Sequence, residues 1–420
     1  MISRPGVLGC LLSFVGGVLL WGGAPPALHA QEVVLVAAGD IEWSRMVREP
    51  VAYSVPGTTE VEMEVRGVGE TRSWITVPHL NLPENREEIA RRRGTTELDS
   101  PNAHHLVSIE YDLPAFSTVE EEMRYPFERI REVIQGGDIA FANLEMPLSA
   151  RARPTGAFVG DPAFAPALEW AGFDVVSFAN NHSFDGEEVG LLDTMEHLER
   201  AGVGWIGAGR NLEDARRPHI IEQDGVRIAF LGYARSINWI GTRGFAQPNR
   251  SGVMPMDPLL IREDIRRVRD QVDLVALSFH WAVENSVDTH SEAREFAYEM
   301  IDAGADMILG HHPHVPRGVE VYNGGVIFYS LGNLIFGHNH TYWGDGYAAR
   351  LTLTPDEIRQ VELIPIAGEG QDMAQPYALE GERAQRVLEL VQELSEDLDT
   401  QMDIVGDMGV IRPAVVDRDP

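Results

Sequence analysis

The stretch that most constrains the fold runs from residue 305 to residue 336 and reads ADMILGHHPHVPRGVEVYNGGVIFYSLGNLIF. Its apolar residues 307–309 stop at Gly310, and a short apolar run ended by glycine predicts a buried strand that opens into a loop. Three histidines follow, namely His311, His312 and His314. Ligands usually bind at the carboxyl ends of the strands in α/β sheets. Imidazoles in this position therefore indicate a binding site for one or two divalent metal ions.

The same pattern recurs at four other places in the chain. Apolar runs that begin near residues 33, 138, 174 and 273 are each followed by a carboxylate, an amide or an imidazole. The side chains at these four ends are Asp40, Asn143, Glu145, Asn181, His182 and His280. Five ends of this kind predict one convergent site of oxygen and nitrogen ligands. The alternative is that these residues only cap helices and satisfy buried backbone groups.

The types of candidate ligand narrow the choice of ion. Mixed carboxylate, amide and imidazole ligands suit Mn, Fe or Zn, whereas Mg or Ca would favour more oxygen. The number of candidates exceeds the four ligands of a single tetrahedral ion. It fits two ions about 3.5–4 Å apart that share one carboxylate. We therefore expect two divalent metal ions, drawn from Mn, Fe and Zn, as cofactors.

The order of the apolar runs indicates the fold class. Strands that alternate with helices predict an α/β fold, with either a mixed sheet or two sheets packed face to face. Residues 46–122 are charged and rich in turn residues, which indicates a large insertion after the first strand with some strands of its own. Residues 31–370 are expected to form the main domain. Residues 371–420 are predicted to be an acidic helical C-terminal tail, with one helix near residues 380–399.

Composition excludes several classes of function. The 420 residues carry a net charge of −31, which argues against nucleic acid or an anionic membrane surface as a partner. A polyanionic substrate would need local positive charge from a metal ion or from arginine. All 34 basic residues are arginine, so Schiff-base and phosphate-loop chemistry that depends on lysine is excluded.

Residues 1–30 have the features of an export signal. Arg4 precedes an apolar stretch at residues 7–21, and a Pro-Pro pair separates that stretch from the sequence ALHA. The segment is either cleaved or kept as an N-terminal membrane anchor. Both outcomes predict a periplasmic or extracellular protein. The only cysteine, Cys10, lies within this segment, so disulfides and thiolate metal sites are excluded from the rest of the chain.

Several motifs together resemble one known family. They are GDIEWSR, DIAFANLEMPL, ANNHSFDG, HWAVEN, GADMILGHHPHV and IFYSLGNLIF, in this order. The set resembles the CapA family of bacterial capsule and poly-γ-glutamate synthesis proteins, within the calcineurin-like metallophosphatase superfamily. The resemblance covers residues 33–366 apart from the insertion. It implies a four-layer αββα sandwich of the metallophosphatase type, with a dinuclear metal centre above the strand ends.

The resemblance also implies roles for individual residues. Asp40 and His314 would bind the first ion, and Glu145 would bridge both. The second ion would be held by Asn181, His280 and His312. A hydroxide bridging the two ions would be the nucleophile, with His182 as the catalytic histidine oriented by Asp185. Further residues are expected beside these ligands, namely Glu42, Asn143, Glu284, His311 and Asn333.

Two functions follow from the resemblance and stay open at this point. The first is a metal-dependent hydrolase that cleaves a phosphoester, ester or amide bond in an envelope polymer or in a phosphorylated or γ-glutamyl precursor. The second is a non-catalytic accessory subunit that binds or guides an exported polymer such as poly-γ-glutamate. Either protein could work within a membrane polymer-synthesis complex.

Overall fold

The computed structural model describes residues 32–44, 111–152, 158–238, 240–337 and 343–414. It also gives the backbone of residues 52–54, 60–66, 72–78, 108–109 and 339–340. The predicted export signal and most of the predicted insertion lie outside these residues. By its internal contacts, Gln31–Pro420 forms one compact unit. Within the described residues, no helix combines the length and the apolar character needed to cross a membrane.

The first half of the chain contributes the strands β1 (Val33–Glu42), β2 (Ala52–Ser54), β3 (Glu60–Arg66), β4 (Arg72–Pro78), β5 (Ser108–Ile109), β6 (Ile139–Leu144), β7 (Val175–Ser177), β8 (Gly204–Ile206) and β9 (Ala208–Gly209). The middle contributes β10 (His219–Gln223), β11 (Val226–Ala234), β12 (Gly252–Val253), β13 (Leu274–His280) and β14 (Met307–His311). The last part contributes β15 (Val319–Tyr322), β16 (Gly325–Phe328), β17 (Asn333–Phe336), β18 (Asn339–His340), β19 (Gly346–Leu353), β20 (Ile358–Ile366), β21 (Asp403–Val405) and β22 (Met408–Ile411).

The described α-helices are α1 (Val119–Arg124), α2 (Arg131–Ile134), α3 (Phe164–Ala171), α4 (Glu187–Ala201), α5 (Leu212–Ala215), α6 (Pro258–Arg269), α7 (Ser291–Asp302) and α8 (Gly381–Glu396). Short 3-10 helices occur at Tyr125–Phe127, Gly241–Gly244 and Gly370–Ala374. Helix α6 begins where the side chain of Asp257 accepts the backbone N–H groups of Leu259 and Leu260, and Pro258 occupies its first position.

Two mixed sheets form the centre of the fold. The first has the order β21-β22-β20-β19-β1-β6-β7-β8, with β17 also paired to β1. Strands β1, β6, β7 and β8 are parallel, and β19 to β22 continue the sheet in antiparallel pairing. The second has the order β10-β11-β13-β14-β16-β15, with a parallel centre and antiparallel edges. The sequence prediction of mixed sheets is confirmed.

The two sheets pack face to face, and helices cover their outer faces. Successive side chains of β6 point to opposite faces of the first sheet. Phe141 faces the second sheet, and Ala140 faces the helices. The ring of Phe141 stacks on that of Phe230 from β11 at 5.8 Å. Helices α1 to α4 pack on the outer face of the first sheet, and α6 and α7 pack on the second. The expected four-layer αββα sandwich is confirmed.

The C-terminal segment differs from the helical tail expected for residues 371–420. Helix α8 is present, but β21 and β22 follow it, and β22 pairs with β20 of the first sheet. Ala384, Val387, Leu388 and Val391 of α8 are buried in the core between the sheets. Burial of this apolar face against the sandwich stabilises the folded protein, because apolar surface is removed from water. The segment through Ile411 is therefore part of the sandwich.

The backbone described within the predicted insertion includes a three-stranded antiparallel sheet, with the order β2-β3-β4. Strand β5 pairs with β18 further along the chain. These strands agree with the expectation that the insertion after β1 carries strands of its own.

The parallel pairing brings the predicted ligands to one end of the sandwich. Asp40 of β1 lies opposite Asn143 of β6, and His280 of β13 lies opposite His311 of β14. Because neighbouring parallel strands share their direction, residues at their carboxyl ends meet at one edge of the sheet. Because the two sheets pack face to face, the carboxyl ends of the parallel strands in one sheet lie near those in the other.

Gly39, next to Asp40, has a role that can be tested. A Cβ atom at position 39 would overlap the carbonyl oxygen of Gly332, which is backbone and cannot rotate away. We expect Gly39→Ala to destabilise the protein by roughly 1–3 kcal/mol or more, measured by urea unfolding. Gly344→Ala is the matched control, because apart from its chain neighbours no described residue lies within 4 Å of a Cβ atom there. Equal effects of the two substitutions would contradict the close approach of these strands.

Candidate metal centre

Asp40 is a buried carboxylate that receives several hydrogen bonds. Its Oδ1 accepts from Nδ2 of Asn143 at 2.9 Å and from Nδ1 of His311 at 3.0 Å, and its Oδ2 accepts from the backbone N–H of His312 at 3.1 Å. Burial acts to raise the pKa of Asp40, but the hydrogen bond and positive potential from His311, followed by His314 and Asn143, outweigh it and hold the pKa below its usual value. Asp40 is therefore present as an anion.

Glu145 has the opposite environment. Both of its oxygens are buried, and within the described part of the chain neither receives a hydrogen bond. Burial, and then the negative charge of Asp40, raise the pKa of Glu145 well above its usual value. A buried carboxylate without donors is costly unless a cation lies beside it. This observation argues for a metal ion at Glu145 and against the alternative that these residues only cap backbone groups.

The side chains around Glu145 form two overlapping groups. One consists of Glu145, His312 and His314, and the other of Asp40, Glu145 and His280. In each group the potential ligand atoms lie within 4.8 Å of one another. Glu145 belongs to both, as a bridging carboxylate would. The family resemblance instead implies that Asp40 and His314 share an ion, and Nδ1 of His314 lies 3.5 Å from Oδ2 of Asp40. The division of ligands between two ions stays a prediction.

Asn181 joins this centre from the end of β7. Its Oδ1 lies 2.6 Å from Nε2 of His280, and that nitrogen lies 3.4 Å from Oε1 of Glu145. Nδ2 of Asn181 is buried and makes no hydrogen bond with any described residue. The amide oxygen of Asn181 thus contacts the imidazole of His280 from the other sheet, and this imidazole lies beside Glu145.

Each of the three imidazoles around Glu145 has a polar group near one of its ring nitrogens. Nδ1 of His314 lies 2.9 Å from Oδ1 of Asn333, and Nδ1 of His280 lies 3.4 Å from Nδ2 of Asn143. Nε2 of His312 lies 3.9 Å from Oε1 of Glu284, while its Nδ1 is buried without a hydrogen bond to any described residue. The contact between His314 and Asn333 is of the kind that orients a metal-binding imidazole and fixes its tautomer, because Nδ1 can donate to the amide oxygen and leave Nε2 free for an ion. The residues present therefore fit a metal ion.

The imidazoles are held in the form that binds metal. Burial, and then repulsion from His312 and the other nearby histidines, lower the pKa of His280 well below its usual value. Burial is also the largest influence on His312 and lowers its pKa to about 4. Both side chains are therefore neutral at pH 7, and metal binding needs a neutral imidazole.

These pKa shifts predict how metal binding depends on pH. Because the pKa of Glu145 is raised, a proton occupies this carboxylate as pH falls and competes with the ion. Because the pKa of His312 is lowered to about 4, this imidazole does not compete above that pH. We expect Mn²⁺ binding to weaken as pH falls and to release a proton from Glu145 wherever this carboxyl is protonated in the metal-free protein. Titration calorimetry in buffers of different ionisation enthalpy measures this release, and its persistence in Glu145→Gln would contradict the assignment.

His182 and Asp185 form a pair beside the ligand cluster. Nδ1 of His182 lies 2.6 Å from Oδ2 of Asp185, which also accepts the backbone N–H of Phe158 at 2.9 Å. The ring of Phe158 lies 4.3 Å from the imidazole. These contacts hold the imidazole in place. The side chain of His182 is 12% exposed, so a bound molecule can still reach it. The expected orientation by Asp185 is present, and the catalytic role stays a prediction.

Two other predicted residues have different surroundings. Glu42 accepts the backbone N–H groups of Ser44 and Gly337 at 2.5 and 3.1 Å, and it belongs to neither ligand group. His311 is fully buried, and its Nδ1 bonds Asp40 while its Nε2 makes no hydrogen bond with a described residue. Glu42 thus stabilises the loop after β1, and His311 holds Asp40.

Three residues near this centre are not among the predicted site residues. Nδ2 of Asn180 donates to Oδ1 of Asn143 and to the carbonyl of Leu144, and its place beside Asn181 could have marked it. The ring of Trp343 lies 4.8 Å from that of His314. Asn238 lies 3.3 Å from His182. No periodicity or motif marks Trp343 or Asn238, because both lie in loops.

Comparison with solved structures gives only weak likenesses. A calcineurin-like phosphoesterase, YfkN of Bacillus subtilis, aligns with 88% of this chain and 97% of its own, at 14% identity and a TM-score of 0.35. The NAD nucleotidase NadN of Haemophilus influenzae aligns with 86% of this chain and 55% of its own, at 11% identity and a TM-score of 0.36. The assignment of the sandwich therefore depends on the sheets and helices of this chain itself.

Comparison with curated sequences gives closer relatives. The PGA biosynthesis protein CapA of Bacillus subtilis is 32% identical over 247 residues, 57% of this chain and 64% of that protein. The capsule biosynthesis protein CapA of Bacillus anthracis is 32% identical over 227 residues, 53% of this chain and 54% of that protein. This chain thus spans less than two thirds of either CapA protein. A "Probable polyglutamine synthesis accessory protein" of Mycobacterium tuberculosis is 30% identical over 278 residues, 62% of this chain and 69% of that protein.

The sequence model of one family covers most of the sandwich. It describes the bacterial capsule synthesis protein PGA_cap and matches residues 34–338, which is more than half of the chain. The matched range contains every predicted site residue, from Asp40 to Asn333. The chain therefore belongs to the bacterial capsule synthesis protein family PGA_cap.

Proposed function

We propose that this protein is an exported metal-dependent hydrolase that acts on an envelope polymer or its precursor. The observation that carries the proposal is Glu145, a buried carboxylate without donors among the described residues, surrounded by Asp40, His280, His312 and His314. Two divalent ions, Mn, Fe or Zn, would satisfy this charge. Export to the periplasm or the exterior is part of the proposal and derives from the character of residues 1–30.

Different side chains would bind the ions and transfer the proton. Glu145 would lie between the two ions, and Asp40, Asn181 and the three imidazoles would complete their surroundings. When bound, the ions would supply Lewis-acid activation of the scissile group and of the attacking water. His182 would hold or donate a proton at Nε2, where the leaving group departs, while Asp185 fixes the ring through Nδ1. Burial of the ligands excludes bulk water from the centre.

Charge and family membership support our proposal for the substrate class. The relatives are named for the biosynthesis of PGA or of a capsule. A polymer or precursor of that kind carries phosphate or γ-glutamyl carboxylate groups, and the net charge of −31 would repel it. The ions at the strand ends would provide the local positive charge that such a substrate needs. We therefore propose a phosphorylated or γ-glutamyl substrate.

The test begins with the chain from Gln31 onward, loaded with Mn²⁺. It would be assayed with p-nitrophenyl phosphate, bis-p-nitrophenyl phosphate and γ-glutamyl p-nitroanilide. Turnover that falls in both His312→Ala and His182→Ala would support the proposal and identify the bond type. Metal-loaded protein that turns over none of the three would count against a hydrolase of this class.

A second function is favoured by the name of one group of relatives, which are called accessory proteins. In this case the metal centre would bind or guide an exported polymer, within a membrane polymer-synthesis complex, without cleaving it. The test is polymer production in a strain that lacks the gene. Restoration by His182→Ala as well as by the unchanged protein would favour the accessory role, whereas failure of His182→Ala would favour hydrolysis.

A further inference from the structure

The imidazole of His182 has a partner at each of its nitrogens. Nδ1 contacts Asp185, and Nε2 lies 3.3 Å from Nδ2 of Asn238. The second contact lies at the nitrogen that a substrate would approach. Asn238 therefore contacts the part of His182 on which the proposed chemistry depends.

Asn238 lies on a loop that leaves the second sheet after β11 and reaches the first sheet. At the start of this loop, the backbone N–H of Arg235 donates to the carbonyl of His280 at 3.0 Å. The backbone N–H of Asn238 donates to the carbonyl of Asn181 at 2.9 Å. The carbonyl of Asn238 accepts from the backbone N–H of Ile240 at 2.7 Å. The loop is thus bonded to the backbone of candidate ligands in both sheets.

The chemistry of the imidazole determines which atoms donate. A neutral imidazole has one N–H donor and one acceptor nitrogen. The carboxylate of Asp185 only accepts, so Nδ1 of His182 carries the proton. Nε2 is then an acceptor, and the amide of Asn238 donates to it.

We propose that Asn238 is a positioning residue for His182. It fixes the orientation of the ring by donating a hydrogen bond to Nε2. An alcohol such as serine is shorter, and an apolar residue has no partner atom, so an amide suits this position. The catalytic importance of Asn238 rests on the proposed function, whereas its effect on the ring does not.

The experiment compares the Zn²⁺-loaded chain from Gln31 onward with Asn238→Leu, which keeps the size of the side chain and removes its polar atoms. Long-range ¹H–¹⁵N NMR of labelled histidines reports the tautomer and hydrogen bonding of each imidazole, and the His182 signals are assigned by their loss in His182→Ala. We expect the Nδ1–H tautomer in the unchanged protein and a shifted Nε2 signal in Asn238→Leu. An unchanged Nε2 signal would overturn the proposal.

Control variants separate positioning from general damage. Asn238→Ala replaces the leucine variant if that variant does not fold. Asn211→Ala removes the N-cap of α5, where the side chain accepts from the backbone of Asp214, and it should leave the His182 signals unchanged. A shift in Asn211→Ala equal to that in Asn238→Leu would overturn the specific role.

A kinetic readout applies where the hydrolase assay shows turnover. We expect Asn238→Leu to lower kcat about tenfold with KM and metal content unchanged, the size of effect that the loss of one hydrogen bond produces. A change in KM alone would overturn the positioning role. If the unchanged protein has no turnover, the proposed hydrolase fails, and the NMR comparison still decides the role of Asn238.

Discussion

Replacing Glu145 with glutamine is expected to weaken metal binding by about a hundredfold or more. Mutation of a residue that only supports a metal ligand already lowers metal affinity about 10–100-fold, and Glu145 is expected to be a ligand itself. The amide keeps the shape of the side chain and removes the negative charge shared by both ligand groups. In the metal-free protein the same substitution should leave the stability of the fold unchanged or increase it. Because the pKa of Glu145 is raised, burial of its charge opposes folding near neutral pH, and the neutral amide removes that cost. We therefore expect metal-free Glu145→Gln to unfold at an equal or higher urea concentration.

Glu42→Gln is the matched control for this result. Glu42 is an equally buried glutamate at the same end of the first sheet, but its two oxygens accept backbone N–H groups. Its replacement should leave metal affinity unchanged and cost about 1–3 kcal/mol of stability, because one backbone donor loses its acceptor. Loss of metal in Glu42→Gln, or full metal content in Glu145→Gln, would contradict the roles assigned to the two carboxylates.

Replacing His182 with alanine is expected to lower kcat by about 10²–10⁴-fold on any substrate that the protein hydrolyses, with metal content unchanged. The reason is that His182 lies beside the ligand cluster but belongs to neither group, so its loss removes proton transfer and leaves the ions in place. Steady-state kinetics and elemental analysis of the same samples measure both quantities.

His290→Ala controls for the loss of an imidazole elsewhere on the surface. His290 is exposed just before α7, and its side chain does not cap that helix. Its replacement should leave kcat within twofold, as expected of a surface substitution. A fall in metal content in His182→Ala would instead identify this histidine as a ligand, which would contradict its assigned role.

Much of the candidate site follows from local sequence. Asp40, Asn143, His280 and His311 each end or follow an apolar run, and parallel pairing makes such ends neighbours. The division of ligands into groups could not be predicted, because it depends on how two separate sheets face each other. Glu145 approaches His280 only through this packing. The same limit applies to Asn238, whose contact with His182 depends on the path of a loop.

The C-terminal strands show a second limit of sequence reasoning. Residues 403–411 contain two short apolar stretches on either side of a turn at Gly406 and Asp407, and neither stretch is long enough to indicate a strand by itself. Their pairing with β20 is decided by the free edge of the first sheet and by the apolar face of α8 beneath it. Strand formation depends on such context more strongly than helix formation does. Helix α8 itself was predictable because its apolar face repeats at helical spacing.

The most direct test of the metal centre is X-ray diffraction from Mn²⁺-loaded crystals, recorded on both sides of the manganese absorption edge. We expect two anomalous peaks about 3.5–4 Å apart, one on each side of Glu145, with Asp40 and His280 beside one and His312 and His314 beside the other. A single peak would contradict a dinuclear centre. The absence of any peak at Glu145 would contradict the metal-dependent function as a whole.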